Sequence, residues 1–253
     1  MTETLWVLLA GVAAGALNAV GGGGTFIALP VLVSAGLPPV TANASATISL
    51  VPGAAAGAWA YRRDIAPVGG VALPRLAAVS AGGGLLGALL LLTLPARSFD
   101  LAVPWLLAFA TLLLLARGRL GAWAAGAAAE PARWAPGTVL TGQFLLSVYG
   151  GYFGGAVGIM MLALWGVGLG LDPAAGNPMR ILLVAAVYLS SAGVFLAASD
   201  ALSAPVPLAA MLTSAVAGGY GGGHLARRLS PRILRAVITT TAVVMTIAYF
   251  SHA

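Results

Sequence analysis

The stretch Asn18-Ala19-Val20-Gly21-Gly22-Gly23-Gly24-Thr25-Phe26-Ile27-Ala28-Leu29-Pro30 sets four consecutive glycines between two apolar runs. The run before the glycines, Leu5–Val20, has 16 residues, and the run after them, Thr25–Leu37, has 13. As helices rising 1.5 Å per residue they extend only about 20–24 Å each, short of a hydrocarbon core of about 30 Å. Two readings compete. The element is either one broken crossing or a hairpin that enters the membrane and returns to the same side. Two short full crossings would have the same parity as the hairpin.

The device recurs further along, at Gly150, Gly151, Gly154, Gly155 and Gly158, and the recurrence is regular. At a fixed offset of 134 residues Gly24 falls on Gly158, Gly36 on Gly170, Pro39 on Pro173, Asn43 on Asn177, Ser80 on Ser214 and Gly87 on Gly221. Asn and Pro matches carry weight that Ala and Leu matches lack in this composition, and they indicate an internal duplication. The remaining apolar runs are Val40–Tyr61, Leu76–Leu94, Leu101–Ala116, Val139–Phe153, a glycine-broken stretch to Leu171, Ala175–Ala197, Pro207–Ala226 and Leu234–Phe250. The organisation expected is a first transmembrane repeat over 1–116, a cytoplasmic connecting loop over 117–136 and a second repeat over 137–253.

Composition sets the solvent. Of 253 residues, 60% are hydrophobic and 7% charged, with a mean hydropathy of +1.00. A soluble domain carries roughly 25% charged residues, so most of this chain faces lipid. That excludes a soluble enzyme, a nucleic-acid binder and a disordered chain, and the continuous apolar runs exclude alternating barrel strands. The absence of cysteine removes disulfides and thiolate metal sites. Leu5–Val20 follows an acid and has no basic flank, which disfavours a cleaved signal peptide.

Arginine placement decides the parity. With one broken crossing per repeat, the 12 arginines divide six against six between the two membrane faces. With hairpins, Arg62, Arg63, Arg75, Arg117, Arg119, Arg133, Arg180, Arg227, Arg228, Arg232 and Arg235 share a face and only Arg97 opposes them. Only the second distribution fits the excess of basic residues on cytoplasmic faces. The fold expected is therefore an all-α polytopic membrane protein. It has two inverted-topology repeats, each a glycine-broken helical hairpin plus three transmembrane helices, with both termini outside the cytoplasm.

The candidate site is the pair of breaks. Glycines before a helix start leave free N–H groups and the positive end of the helix dipole facing the gap, which suits an anion. Inverted repeats bring two such gaps together near the midplane. The substrate-binding residues expected are Gly21, Gly22, Gly23, Gly24, Thr25, Asn43, Thr47, Gly154, Gly155, Gly158, Asn177 and Arg180. Asn43 and Asn177 can donate to an anion, or instead bond between helices or cap one. Thr47 lies one turn after Asn43, on its face. Arg180, three residues after Asn177, either grips sulfonate or carboxylate oxygens or snorkels to the interface. Other glycines, as in Gly11-xxx-Gly15, Gly83-xxx-Gly87 and Gly218-xxx-Gly222, read as close helix packing. His224, Tyr149, Tyr152 and Phe153 read first as packing residues. All six acids lie at run ends or in loops, so a carboxylate proton relay at depth is not expected.

The first block, with Gly36-Leu37-Pro38-Pro39 and Ala42-Asn43-Ala44, and the second, Tyr149 to Gly158 with Asn177-Pro178-Met179-Arg180, resemble the sulfite exporter TauE/SafE family. The likeness spans nearly the whole chain. It implies a multi-pass permease of the cytoplasmic membrane for a small sulfur-containing anion such as sulfite or an organosulfonate. In this chain Gly154-Gly155-Ala156-Val157-Gly158 departs from the Gly-Ala-Gly usual in the family, and Arg180 stands where a lysine is common. Expected partners are a small anionic solute and the lipid bilayer, with no nucleic acid, cofactor or metal; a homo-oligomer is compatible with all of this. The competing reading is a cation or other small-solute carrier, or a channel, using the same broken helices. An enzyme lacks the necessary players, since the sequence holds no paired nucleophile and base and no ligand cluster.

Overall fold

The computed structural model describes residues 2–21, 23–126, 134–226 and a few positions between 240 and 250. Gly22, Arg133, Arg227, Arg228, Arg232 and Arg235 lie outside the described residues, as do the side chains of Arg117, Arg119 and His224 and most of the run Leu234–Phe250. Among the described residues the chain is helical, with no strand. In order come α1 (Thr2–Gly21), α2 (Thr25–Ser34), α3 (Pro39–Ala60), α4 (Leu73–Thr93), α5 (Ala96–Gly126), α6 (Pro136–Tyr152), α7 (Val157–Leu169), α8 (Pro173–Ala198) and α9 (Pro205–Ala226). Proline opens α3, α6, α8 and α9, where its missing N–H is not needed and its fixed φ suits the first turn.

Both glycine-rich stretches interrupt a helix, and both short second limbs end in the same way. Gly36, just after α2, has φ +90°, and its repeat mate Gly170, capping α7, has φ +63°. A left-handed residue ends a helix at least cost when it is glycine. At the breaks the chain turns back on itself. Gly24 packs against Asn18 of α1, whose Cβ lies 2.9 Å from where a Cβ on Gly24 would stand. In the second repeat a Cβ on Gly150 would lie 2.9 Å from the Val157 side chain.

One boundary differs from expectation. α5 does not stop with the apolar run at Ala116 but continues to Gly126, so the stretch expected as a loop begins as helix. Its residues there include three Ala, two Arg and one Leu, which favour a helix, beside three Gly, which do not.

The packing exchanges helices between the two halves of the chain. α1 lies along α9, and its counterpart α6 lies along α4, while α3 and α8 cross in the middle. Glycine makes both exchanged contacts possible. A Cβ on Gly15 would run into the Ala215 carbonyl, one on Gly218 into the Val12 carbonyl, and one on Gly87 into the Val148 carbonyl. Register rises together along α4 and α6. Ser80 meets Gln143, Gly83 meets Ser147, and Gly87 meets Val148 and Tyr152, so these two helices run in the same direction.

The distribution of polarity is that of a protein in lipid. Trp6, Trp59, Trp105 and Phe109 are each more than half exposed, whereas Asn43, Ser45, Ser49, Ser80, Gln143, Ser147 and Ser191 are wholly buried. An apolar exterior with uncharged polar side chains set inside an apolar core is not the order that water imposes. Among the described residues, Leu73–Thr93 and Ala175–Ala198 are long and apolar enough to cross a bilayer by length and composition, while the apolar helices Thr25–Ser34 and Val157–Leu169 are shorter.

Candidate functional site

The second break is the better defined of the two. Gly154 has φ +82° and Ala156 has φ +59°, and together they swing the chain from α6 into α7. An alanine in this region costs roughly 1–2 kcal/mol, strain that must be held by its surroundings. The first backbone bonds of α7 run from the Ile159 and Met160 N–H groups to the Ala156 carbonyl. The N–H groups of Val157 and Gly158 therefore precede the helical ladder, at the positive end of the helix.

Arg180 is brought to that point. It is only 3% exposed. Its Nε donates to Asn177 Oδ1 at 3.0 Å, one turn back on α8. Its Nη1 lies 2.8 Å from where a Cβ on Gly158 would stand, so glycine at 158 is what admits the guanidinium beside the start of α7. Burial at this depth argues against a snorkelling anchor, whose head would reach water.

The two breaks touch. Thr25, the first residue of α2, places its Oγ1 3.2 Å from the Cβ position of Gly154. Tyr188 is wholly buried on α8, donates its hydroxyl to the Gly154 carbonyl at 3.1 Å, and its ring lies 3.7 Å from the Gly154 Cβ position that Thr25 also borders. From α3, Asn43 donates Nδ2 to the Tyr152 carbonyl at 2.9 Å, so the first repeat holds the end of α6 in the second. Asn43 is no N-cap, since α3 is capped at Pro38.

Gly24, Thr25, Asn43 and Gly154 therefore lie in one connected region, while Gly158, Asn177 and Arg180 form a cluster at the start of α7, four residues along the chain from Gly154. The repeat-related asparagines do different work. Asn177 accepts from Arg180, while the nitrogen of Asn43 is turned to a backbone carbonyl. Thr47 is buried in α3 one turn beyond Asn43. Gly155 packs on the Phe153 ring, Gly23 lies near Leu17 and Phe26, and Gly21 closes α1. Tyr188 and Asn18 were not among the residues expected at the site. Their only sequence signal is a polar group placed within an apolar run.

A family model described as "Sulfite exporter TauE/SafE" matches residues 7–249. No curated protein and no solved structure matches the chain.

Proposed function

The chain belongs to the sulfite exporter TauE/SafE family, and from that premise we propose that it is a multi-pass permease of the cytoplasmic membrane carrying sulfite or an organosulfonate by alternating access. Membership makes it a membrane transporter, with a small solute and lipid as its partners. The observation that carries the choice of an anion is Arg180, a guanidinium buried against the first turn of α7 beside N–H groups ahead of the helical ladder. A planar fork of donors next to the positive end of a helix matches the oxygens of a small oxyanion. Low local dielectric strengthens both interactions.

The proposed architecture is a pair of inverted repeats. Its support is the common direction of α4 and α6. If α1, α2, α3 and α4 alternate in direction, α4 opposes α1. A helix α6 parallel to α4 then opposes its own repeat mate α1, as inversion requires. The swapped contacts of α1 with α9 and α4 with α6 obey the same symmetry.

Calorimetry on the purified chain tests the assignment. Sulfite or a small organosulfonate is expected to bind saturably, and Arg180→Gln to lose at least tenfold in affinity at both low and high salt. A loss confined to low salt would assign Arg180 to long-range steering instead. Binding of neutral solutes with no anion response would end the proposal.

A further inference from the structure

The repeats carry different chemistry at matched positions. Across the offset of 134, Arg180 corresponds to Ala46, while Thr25, Ser45 and Ser49 correspond to Ile159, Met179 and Leu183. The positive charge thus sits at the second break, and neutral oxygens gather at the first. Four of these, Asn18 Oδ1, Thr25 Oγ1, Asn43 Oδ1 and Ser45 Oγ, are buried without a hydrogen bond of ordinary geometry, and the first three concern the break itself.

They come from three elements that meet at the first break. Asn18 packs against Gly24, and Thr25 follows Gly24 directly. Asn43 reaches the region from α3 through the Tyr152 carbonyl, two residues before Gly154, whose Cβ position Thr25 Oγ1 borders at 3.2 Å. The orientation of Asn43 is fixed, because exchanging its amide ends would set oxygen against the Tyr152 carbonyl. Oδ1 is thus an acceptor with no proton to give. Asn18 lies in the last turn of α1, at the negative end of that helix, and the turn holds no basic residue. Thr25 can turn its hydrogen to the Tyr188 oxygen beside it and keep its lone pairs for another partner.

Buried acceptors without donors repel an anion and suit a cation. Among the described residues no group of three or more His, Cys, Asp or Glu side chains is placed to hold a metal ion. Neutral oxygens alone suit a weakly charged hard cation better than a divalent one, which gathers carboxylates. We infer that the first break binds a monovalent cation of sodium size through Asn18 Oδ1, Thr25 Oγ1 and Asn43 Oδ1. Its coupling role rests on the reading of the second break as the anion site. Thr25 borders Gly154, so the two ions neutralise each other across the point where the breaks touch. Each then raises the affinity of the other by the same factor. A cation gradient can in this way drive the anion without a carboxylate at depth.

The test is calorimetry on the full chain in lipid nanodiscs, titrating sodium gluconate against N-methylglucamine gluconate at equal ionic strength with no sulfur anion present. Saturable sodium binding is expected. Thr25→Val should weaken it at least tenfold. Asn18→Asp should strengthen it at least tenfold by adding a formal charge, a gain that misfolding cannot imitate. Arg180→Gln should keep sodium binding while losing sulfite binding. Identical responses to sodium and N-methylglucamine, or one sodium affinity shared by the wild type, Thr25→Val and Asn18→Asp, would overturn the inference. Sulfite binding without sodium binding removes the cation site and leaves the anion reading standing. Sodium binding without sulfite binding does the reverse.

Discussion

Gly158 and Arg180 show how one missing methyl group can set a charge in place. The guanidinium occupies the volume a side chain at 158 would need. Gly158→Ala should therefore displace it and weaken anion binding by about 1–3 kcal/mol, the usual cost of a lost or misaligned polar partner. Helix content by circular dichroism should stay unchanged, and an unaltered sulfite affinity would show that Nη1 does not face the ligand. The sequence made these residues visible as candidates, because glycine breaks and a lone arginine stand out against an apolar background. It did not reveal how the two asparagines differ. Asn43 and Asn177 occupy matched positions, but hydrogen-bond partners are chosen by tertiary packing, and local sequence carries no record of which carbonyl will arrive. Tyr188 was hidden for a related reason. A tyrosine inside the run Ala175–Ala197 reads as one more large apolar residue until the Gly154 carbonyl is seen beneath it.

At the level of elements, glycines fall into two kinds, and the small-xxx-small spacing of Gly83 and Gly87 marks the packed kind on α4. Gly87 of α4 sits where a Cβ would strike the Val148 carbonyl, whereas Gly82, one turn earlier, has nothing within 4 Å of its Cβ position. Gly87→Ala should destabilise the α4–α6 pair by roughly 1–3 kcal/mol, as overpacking does. Gly82→Ala should be neutral or stabilise α4 by up to about 1 kcal/mol through its higher helix propensity. Thermal unfolding of the two variants in the same detergent checks the contrast, and equal shifts would refute the close-packing account. Helix existence and order were legible from the apolar runs, because a segment surrounded by lipid must satisfy its backbone internally. The length of α5 was not. Beyond Ala116 two arginines and three glycines interrupt the apolar run, so neither hydropathy nor propensity alone marks the continuation to Gly126.

For the whole molecule, the arginine count predicts both termini outside and the connection between α3 and α4 inside. Arg62, Arg63 and Arg75 lie on or beside that connection, and Arg97 lies beyond the far end of α4. The chain contains no cysteine, so single cysteines report cleanly. Thr2→Cys should react with a membrane-impermeant maleimide on intact cells, and Ala66→Cys only after lysis; equal accessibility of both would restore a single broken crossing in each repeat, and the reversed pattern would overturn the orientation. The exchange of helices between repeats was not legible, since periodicity shows that a helix has a buried face without naming the helix that covers it. That exchange also imposes an order on biogenesis. The first hairpin leaves the ribosome early, yet the surface that accepts α1 belongs to α9, which begins at Pro205. Until nearly the whole chain has been translated, Gly11 and Gly15 have only lipid or the insertion machinery as neighbours. Synthesis thus delivers an unfinished molecule whose earliest segment docks last, and a ribosome that stalls before α9 leaves a product with an unmatched helix for quality-control proteases to find.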